Sequence, residues 1–455
     1  MNSNFFVNQI FTGELTNSTL SHSNISMMFP RMYRICQTFD RSSVRNIGES
    51  VRAELNRLPV REKLRPGHRV AITAGSRGIS DISLILKTIA QYLHLLGAQP
   101  FLFPAMGSHG GATAEGQTTL LKHYQITEEA IGAPILSSME VVEIGQTEIG
   151  LPVYMDKHAS QADHIIVVNR IKPHTKFKGS IESGLMKMMA IGMGKQKGAE
   201  LLHRAAIEYG FQKIIEDVAK VVLKKAPILF GLGIVENGYD EIAKVVGFMP
   251  EEIECGEKEL LVQAKAMMPK LPFENIDLLI VDEMGKDISG VGMDPNVTGR
   301  NRDIMGTFPH PTEIKRLFVR DLTPSSKGNA IGVGLADLTT KRLVEKIDYA
   351  VTYMNCITAI SLEKAAIPMH FETDREAIQV ALDSIGLIPL DRSKIVRIKN
   401  TLQLDEVEVS EAYEKELLQR SDLEIMEGPY AMGFDSQGNL SGLKFHRTRK
   451  KDLSD

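Results

Sequence analysis

Through its first half the chain alternates short apolar runs that stop at glycine-rich turns with longer stretches whose apolar residues recur every three or four positions. Residues 68–73 run into Ala74-Gly75-Ser76-Arg77-Gly78, after which Ile82, Ile85, Ile89, Leu93 and Leu96 mark one face of a helix over 79–96. Residues 99–104 repeat the device. That apolar run ends in Ala105-Met106-Gly107-Ser108-His109-Gly110-Gly111, and Thr113 is placed to cap a helix through Tyr124. Two successive strand-turn-helix units predict a parallel sheet with right-handed crossovers. Ligands of such sheets sit beyond the carboxyl ends of the strands, where Arg77 and His109 fall.

Further along, spacing predicts a helix at 43–58, one or two strands at 141–154 around a turn at Gly150, and a short interior strand at 164–169. That strand delivers the chain into 170–204, where Pro173 keeps Lys172 extended and leaves His174 in a loop. Ile181, Leu185, Met188 and Ile191 then form one helical face, and helices over 198–209 and on through Leu223, a strand at 227–235 and a helix at 250–267 follow. Leu271-Pro272-Phe273-Glu274-Asn275 reads as a boundary, beyond which 277–282 opens a second α/β series. Strands are expected there near 316–319, 330–335, 350–354 and 394–398, with a helix at 374–385. The fold class is therefore α/β, two α/β domains with largely parallel sheets. Residues 1–31 read as a disordered tail or over-called start, 32–270 as the first domain, 275–420 as the second, and 421–455 as a closing segment returning to the first domain, polar and frayed from Lys444.

Composition narrows the function classes. A length of 455 residues with 43 % hydrophobic content and net charge −4 suits a globular protein of two or three domains. No window approaches the roughly 20 apolar residues of a membrane-spanning helix. Cys36, Cys255 and Cys356 lie too far apart for a disulfide framework, a zinc finger or a four-cysteine cluster, so a reducing cytoplasm is the expected compartment. No basic tract is interleaved with aromatics, which argues against nucleic acid.

The chemistry concentrates in 170–204. Arg170, Lys172, Lys176, Lys178, Lys187, Lys195, Lys197 and Arg204 stand there against only Glu182 and Glu200, with His174 and His203 near its ends. A solvated basic face explains that excess as well as a cleft-lining anion site does. Singly, His109, His174, His203, Lys187 and Arg77 each have an ordinary structural explanation. As a set at strand ends and glycine turns they point to a site. Gly192-Met193-Gly194-Lys195-Gln196-Lys197-Gly198 is not a dinucleotide fingerprint, no P-loop or G-x-S-x-G elbow occurs, and the histidines are spaced too widely for a local zinc motif.

The run Gly107-Ser108-His109-Gly110-Gly111-Ala112-Thr113-Ala114-Glu115 resembles the glycine-histidine loop of the nickel-pincer lactate racemase family. His174, then Ser183-Gly184-Leu185-Met186-Lys187, then His203 is similar to that family's His, Ser-Gly-x-x-Lys, His order, and Ser76-Arg77 to its Thr-Arg dipeptide. The resemblance spans about 68 to 204. It implies a cleft between two α/β domains and a nickel pyridinium-3,5-bisthiocarboxylic acid mononucleotide, supplied by cofactor-maturation enzymes. It further implies Lys187 as covalent tether, Ser183 and Gly184 as cofactor contacts, His203 as nickel ligand, and His109 and His174 as paired acid/bases. Arg77 would hold the substrate carboxylate or a neighbouring anion. The implied activity is racemisation or epimerisation at C2 of a 2-hydroxy acid, with no membrane or nucleic-acid partner and with a homo-oligomer admitted.

The Tyr-Gln-x-x-Lys element of the lactate enzymes has no counterpart in Gly290-Val291-Gly292-Met293-Asp294-Pro295-Asn296-Val297-Thr298-Gly299-Arg300, and Ala74 or Gly75 stands where the family has Asp. A larger or more polar 2-hydroxy acid, such as a sugar acid, is expected at least as readily as lactate. Lys286, Asp294, Asn296 and Arg300 are the candidates for reading it. Two rivals stay open, a nicotinamide-dependent oxidoreductase of a hydroxy acid and a non-catalytic anion-binding protein.

Overall fold

The computed structural model describes residues 29–304 and 308–443. The expected tail or over-called start before Phe29 and the polar end from Lys444 lie outside the described residues. Among the described residues fifteen strands occur in chain order: β1 Met32–Gln37, β2 Arg69–Ala74, β3 Gln99–Pro104, β4 Val141–Gln146, β5 Pro152–Asp156, β6 His164–Arg170, β7 Ile228–Glu236, β8 Ile242–Phe248, β9 Asn275–Val281, β10 Glu313–Val319, β11 Leu338–Thr340, β12 Met369–Phe371, β13 Ile395–Ile398, β14 Glu406–Ser410 and β15 Leu423–Tyr430. They form a five-stranded sheet in the order β3-β2-β6-β7-β8, an eight-stranded sheet in the order β12-β11-β10-β9-β13-β14-β1-β15, and the β4-β5 hairpin.

The five-stranded sheet is parallel except for β8. Both its faces are covered, which is why its strands read as unbroken apolar runs: Val70 and Ile72 enter one core cluster while Ala71 between them enters another. Helix Ile82–Leu95 buries Ile85, Leu86, Ile89 and Leu93 on that sheet. The large sheet is parallel from β12 to β13 and antiparallel from β14 to β15. It divides its side chains the same way, with Leu279 and Val281 in one cluster and Leu278 and Ile280 in the next.

Several expectations need correction. Met32–Gln37 belongs to the second sheet, between β14 and β15, and Leu423–Tyr430 pairs with it there, so the closing segment does not return to the first domain. These pairings join residues about as far apart as the chain allows, and no local pattern encodes them. Residues 330–335 form a loop with a 3-10 turn, Val333–Leu335, entered through Gly332 at φ +100. Residues 350–354 are helical, within Tyr349–Thr358. The Asp348 carboxylate caps that helix by accepting from the Val351 N–H, and Thr352 and Cys356 are its buried positions, one turn apart. The helical face begun at Ile181 is also broken, into a turn Leu185–Lys187, a π-helical turn Met188–Gly192 and the helix Lys195–Tyr209.

Candidate active site

Strands β2 and β3 run in parallel register, with Ala74 beside Pro104, so the turns that follow them leave the same sheet edge side by side. One carries Ser76 and Arg77, the other His109. Their proximity is direct: Ser76 Oγ lies 2.5 Å from His109 Nδ1. The histidine loop is fixed from behind by Gln117, whose side-chain amide donates to the carbonyls of Gly107 (3.1 Å) and His109 (3.3 Å) and accepts from Lys195 Nζ. Gly110 sits at φ +66, where a Cβ would press on the backbone of Gly116 and Gln117.

The third contribution comes from the loop after β6. Glu182, fully buried, accepts from the backbone N–H of His174 at 2.6 Å and of Gly179 at 3.0 Å, and Lys265 balances its charge at 2.6 Å. Within that loop His174 Nδ1 accepts from the Lys176 N–H at 3.1 Å, which places the proton of the neutral ring on Nε2. His174 and His203 both pack against Phe211, at 6.3 and 5.7 Å between ring centroids.

Lys187 is presented by a short turn whose first N–H groups need a cap. Glu257 supplies it, accepting from the Met186 N–H at 2.8 Å. A Cβ at Gly184 would run into that carboxyl. The open side of Gly184 is thus filled by Glu257, and Ser183 is engaged through its backbone, exchanging hydrogen bonds with Lys172. Among the described residues no charged group pairs with the buried Glu257, and burial pushes its carboxyl up to about 7.

Electrostatics tie these groups into one site. Burial, then the charges of Arg77 and Lys172, bring the Lys187 ammonium down to about 7. Arg170 and then burial bring Lys172 to about 8. Burial followed by Arg77, Lys187, Lys286 and His203 drives His109 to about 3. His174 falls well below its ordinary value through burial, Lys187 and other cations. His203 falls to about 4 through burial, Lys176 and Lys187, opposed by the hydrogen bond it makes to the Thr358 backbone. His109 and Arg77 are nevertheless exposed side chains. Groups accessible to water yet ringed by the molecule's own charges line a cleft.

Not every cation of the basic stretch faces that cleft. Arg170 is ion-paired with Glu236. Lys195 is fully buried with Asp156 at 3.1 Å and the Pro104 carbonyl at 2.5 Å. Lys176 reaches the Ala359 and Ile360 carbonyls at the end of helix Tyr349–Thr358, joining the two halves. Among the described residues, Arg77, Lys172 and Lys187 have no carboxylate within ion-pair distance.

The second half contributes Lys286, whose ammonium donates to Asn355 Oδ1 at 2.6 Å and to the Gly290 carbonyl at 2.8 Å. Burial and Arg77 bring it to about 8. The other three second-half candidates are engaged elsewhere. Arg300 is taken by Asp337 at 2.8 Å and the Ile314 and Lys315 carbonyls. Asp294 caps the turn Pro295–Thr298. Asn296 accepts from Lys178 and donates to the His174 carbonyl, so it steadies the histidine loop. Sequence reasoning missed Asn355 because its segment read as a strand, and Glu257 because a helical glutamate carries no signal until its partner is seen.

Fold and site together define a two-sheet α/β protein with a cationic, histidine-lined cleft at the carboxyl edge of its first parallel sheet. Residues 31–211 match the lactate racemase N-terminal domain family. No curated protein matches it. Two solved structures are similar at 14 % identity: the lactate racemase apoprotein from Thermoanaerobacterium thermosaccharolyticum, covering 80 % of this chain and 93 % of that one with TM-score 0.46, and a protein from Thermotoga maritima, covering 79 % and 96 % with TM-score 0.49.

The residues present fit the group the family resemblance implies. Among the described residues no three of His, Cys, Asp and Glu cluster as a metal site. An anionic nucleotide would find the unpaired Lys172. An amine near pKa 7 is largely unprotonated just above neutrality and is then a competent nucleophile for a covalent link.

Proposed function

We propose that this protein is a racemase or epimerase acting at C2 of a 2-hydroxy acid, with a nickel-pincer nucleotide tethered at Lys187 and liganded through His203. The observation that carries the reading is the convergence of Arg77, Lys172 and Lys187, none matched by a carboxylate, with three imidazoles in one cleft. When bound, the nucleotide supplies a reversible acceptor for the C2 hydride.

The chain's own residues do the rest. Arg77 holds the substrate carboxylate, and its fixed charge lets binding energy orient C2. A neutral imidazole, His109 for one stereoisomer and His174 for the other, takes the hydroxyl proton, and the opposite ring returns it. Their depressed pKa values keep the base form available at neutral pH. An entering carboxylate and phosphate restore the acid form by cancelling the cations that depress it. Ser76 holds His109 at Nδ1 and leaves Nε2 for the substrate.

The test uses protein purified from its native host. Intact mass should show an adduct and metal analysis should show nickel. Chiral chromatography should show inversion of a 2-hydroxy acid in deuterated water without deuterium at C2. Deuterium at C2 would replace hydride return with direct deprotonation, and an NAD(P)-dependent absorbance change would favour the oxidoreductase.

A further inference from the structure

Resting on that reading, we propose that Lys286 and Asn355 form a donor-only subsite on the second wall of the cleft, and that the substrate is a 2-hydroxy acid carrying a second anionic oxygen group, a carboxylate or phosphate, at its far end. Lysine has no acceptor, so the oxygen of the Asn355 amide is forced toward the ammonium, 2.6 Å away. Its NH2 group is thereby turned elsewhere, and among the described residues nothing accepts from it.

The Lys286 ammonium also donates to the Gly290 carbonyl at 2.8 Å, which leaves its third N–H. Both groups thus offer only hydrogens. A substrate hydroxyl could be met there, but it would leave its own donor unmatched beside a cation; an anionic oxygen satisfies both donors and the charge. Carboxylates do not compensate the pair. Asp303 is committed to Lys364 at 2.7 Å and to the Ser361 hydroxyl at 2.5 Å, and Asp287 accepts from the Thr323 and Ser326 hydroxyls.

Position separates this subsite from the carboxylate clamp. The Arg77 guanidinium reaches across from the first sheet to Gly290, where a Cβ would lie 2.8 Å from its nitrogen. Lys286 and Arg77 therefore flank Gly290, and Asn355 lies beyond Lys286 on helix Tyr349–Thr358. A substrate whose C1 carboxylate meets Arg77 directs its far end toward Asn355.

Titration calorimetry and racemisation assays on the native-host protein decide it, using 2-hydroxybutanedioate, 2-hydroxy-3-phosphonooxypropanoate and, as the monoanionic control, 2-hydroxybutanoate. At least one dianion should bind about tenfold or more tighter than the control, the scale of one charge-assisted hydrogen bond; which one does so identifies carboxylate or phosphate. Asn355→Asp supplies a built-in anion for Lys286, and it should erase that preference through KM while the control changes by less than about threefold. Lys286→Met should do the same, and agreement between the two guards against misfolding of either. Equal binding of all three ligands, or equal loss for dianion and control, overturns the subsite. Dianion binding without racemisation of any ligand would instead overturn the proposed function and leave the subsite standing.

Discussion

The large sheet and the cleft handle buried cations in opposite ways. In the large sheet Arg320 lies between Asp282 (2.9 Å) and Asp374 (2.6 Å), Arg397 between Asp282 (2.8 Å) and Glu408 (3.0 Å), and Arg342 meets Asp374 and Asp321. Each of these three guanidinium groups has its carboxylate, and Arg320 and Arg397 also donate to the Leu440 and Ser441 carbonyls, pinning the chain's closing segment. At the cleft, Arg77, Lys172 and Lys187 have none. A matched buried cation is architecture; an unmatched one is a cost to folding that an anionic ligand removes. The contrast recurs within the first half, where Lys195 sits on Asp156 and Lys187, eight residues earlier, on nothing.

The sharpest way to break this comparison is at Lys187. Lys187→Ala should abolish racemisation and covalent cofactor retention, read by intact mass after denaturation, while leaving the unfolding midpoint unchanged or slightly higher, because a desolvated ammonium has been removed. A variant that still carried the mass adduct would refute the tether. His203→Ala should lose the metal with the fold intact, and unchanged metal content would exclude it as ligand. The converse experiment is Asp374→Ala. Removing the fully buried Asp374 takes one of two carboxylates from Arg320 and from Arg342 and the acceptor from the Leu440 N–H, and an expected loss of about 3–5 kcal/mol in urea unfolding should leave the activity per folded molecule intact. A loss below about 1 kcal/mol would mean that this network is as weak as a surface pair.

Much of the first half was legible because its signals are local. Strand β3 was predicted to its last residue, and Arg77 and His109 were placed together because adjacent parallel strands end at one edge. The second half was less legible for three physical reasons. Tyr349–Thr358 is rich in aromatic and β-branched residues that read as strand, and only the Asp348 cap marks it as helix. β1 and β15 meet through pairings no window of sequence contains. Asp294, Asn296, Arg300 and Lys286 look alike as loop polars, and only their partners separate three that support structure from one that faces the cleft.

Proton linkage sharpens the contrast with a smaller effect. His109 at about 3 and His203 at about 4 take up protons in the unfolded chain near 6.5 but not in the fold. Their contribution is present above 6.5 and lost as pH falls toward 4, so the unliganded protein should weaken across that window. Lys187, depressed to about 7, acts higher: its cost to folding is full below 7 and disappears as pH rises toward 10.5. Inorganic phosphate, by screening the cleft cations, should raise the midpoint more at pH 7 than at pH 9.5. An equal increment at both would show that phosphate is not acting through these lysines.

The smallest expected effect tests the support beneath Lys187. Glu257, raised to about 7, keeps its proton in the fold over a range where the unfolded chain has released it, so its contribution is present below about 4.5 and lost as pH rises through 7. This runs against the histidines. Glu257→Gln keeps an acceptor for the Met186 N–H but cannot titrate. Against the parent protein it should differ by no more than about 1 kcal/mol at pH 5 and compare more favourably at pH 7.5, where the parent must either bury a carboxylate or hold a proton at some expense. Glu257→Ala, with no acceptor, should loosen the turn and slow the pH-dependent acylation of Lys187 at both pH values. If Gln and Ala behave alike, Glu257 fills space beside Gly184 and does not position the lysine.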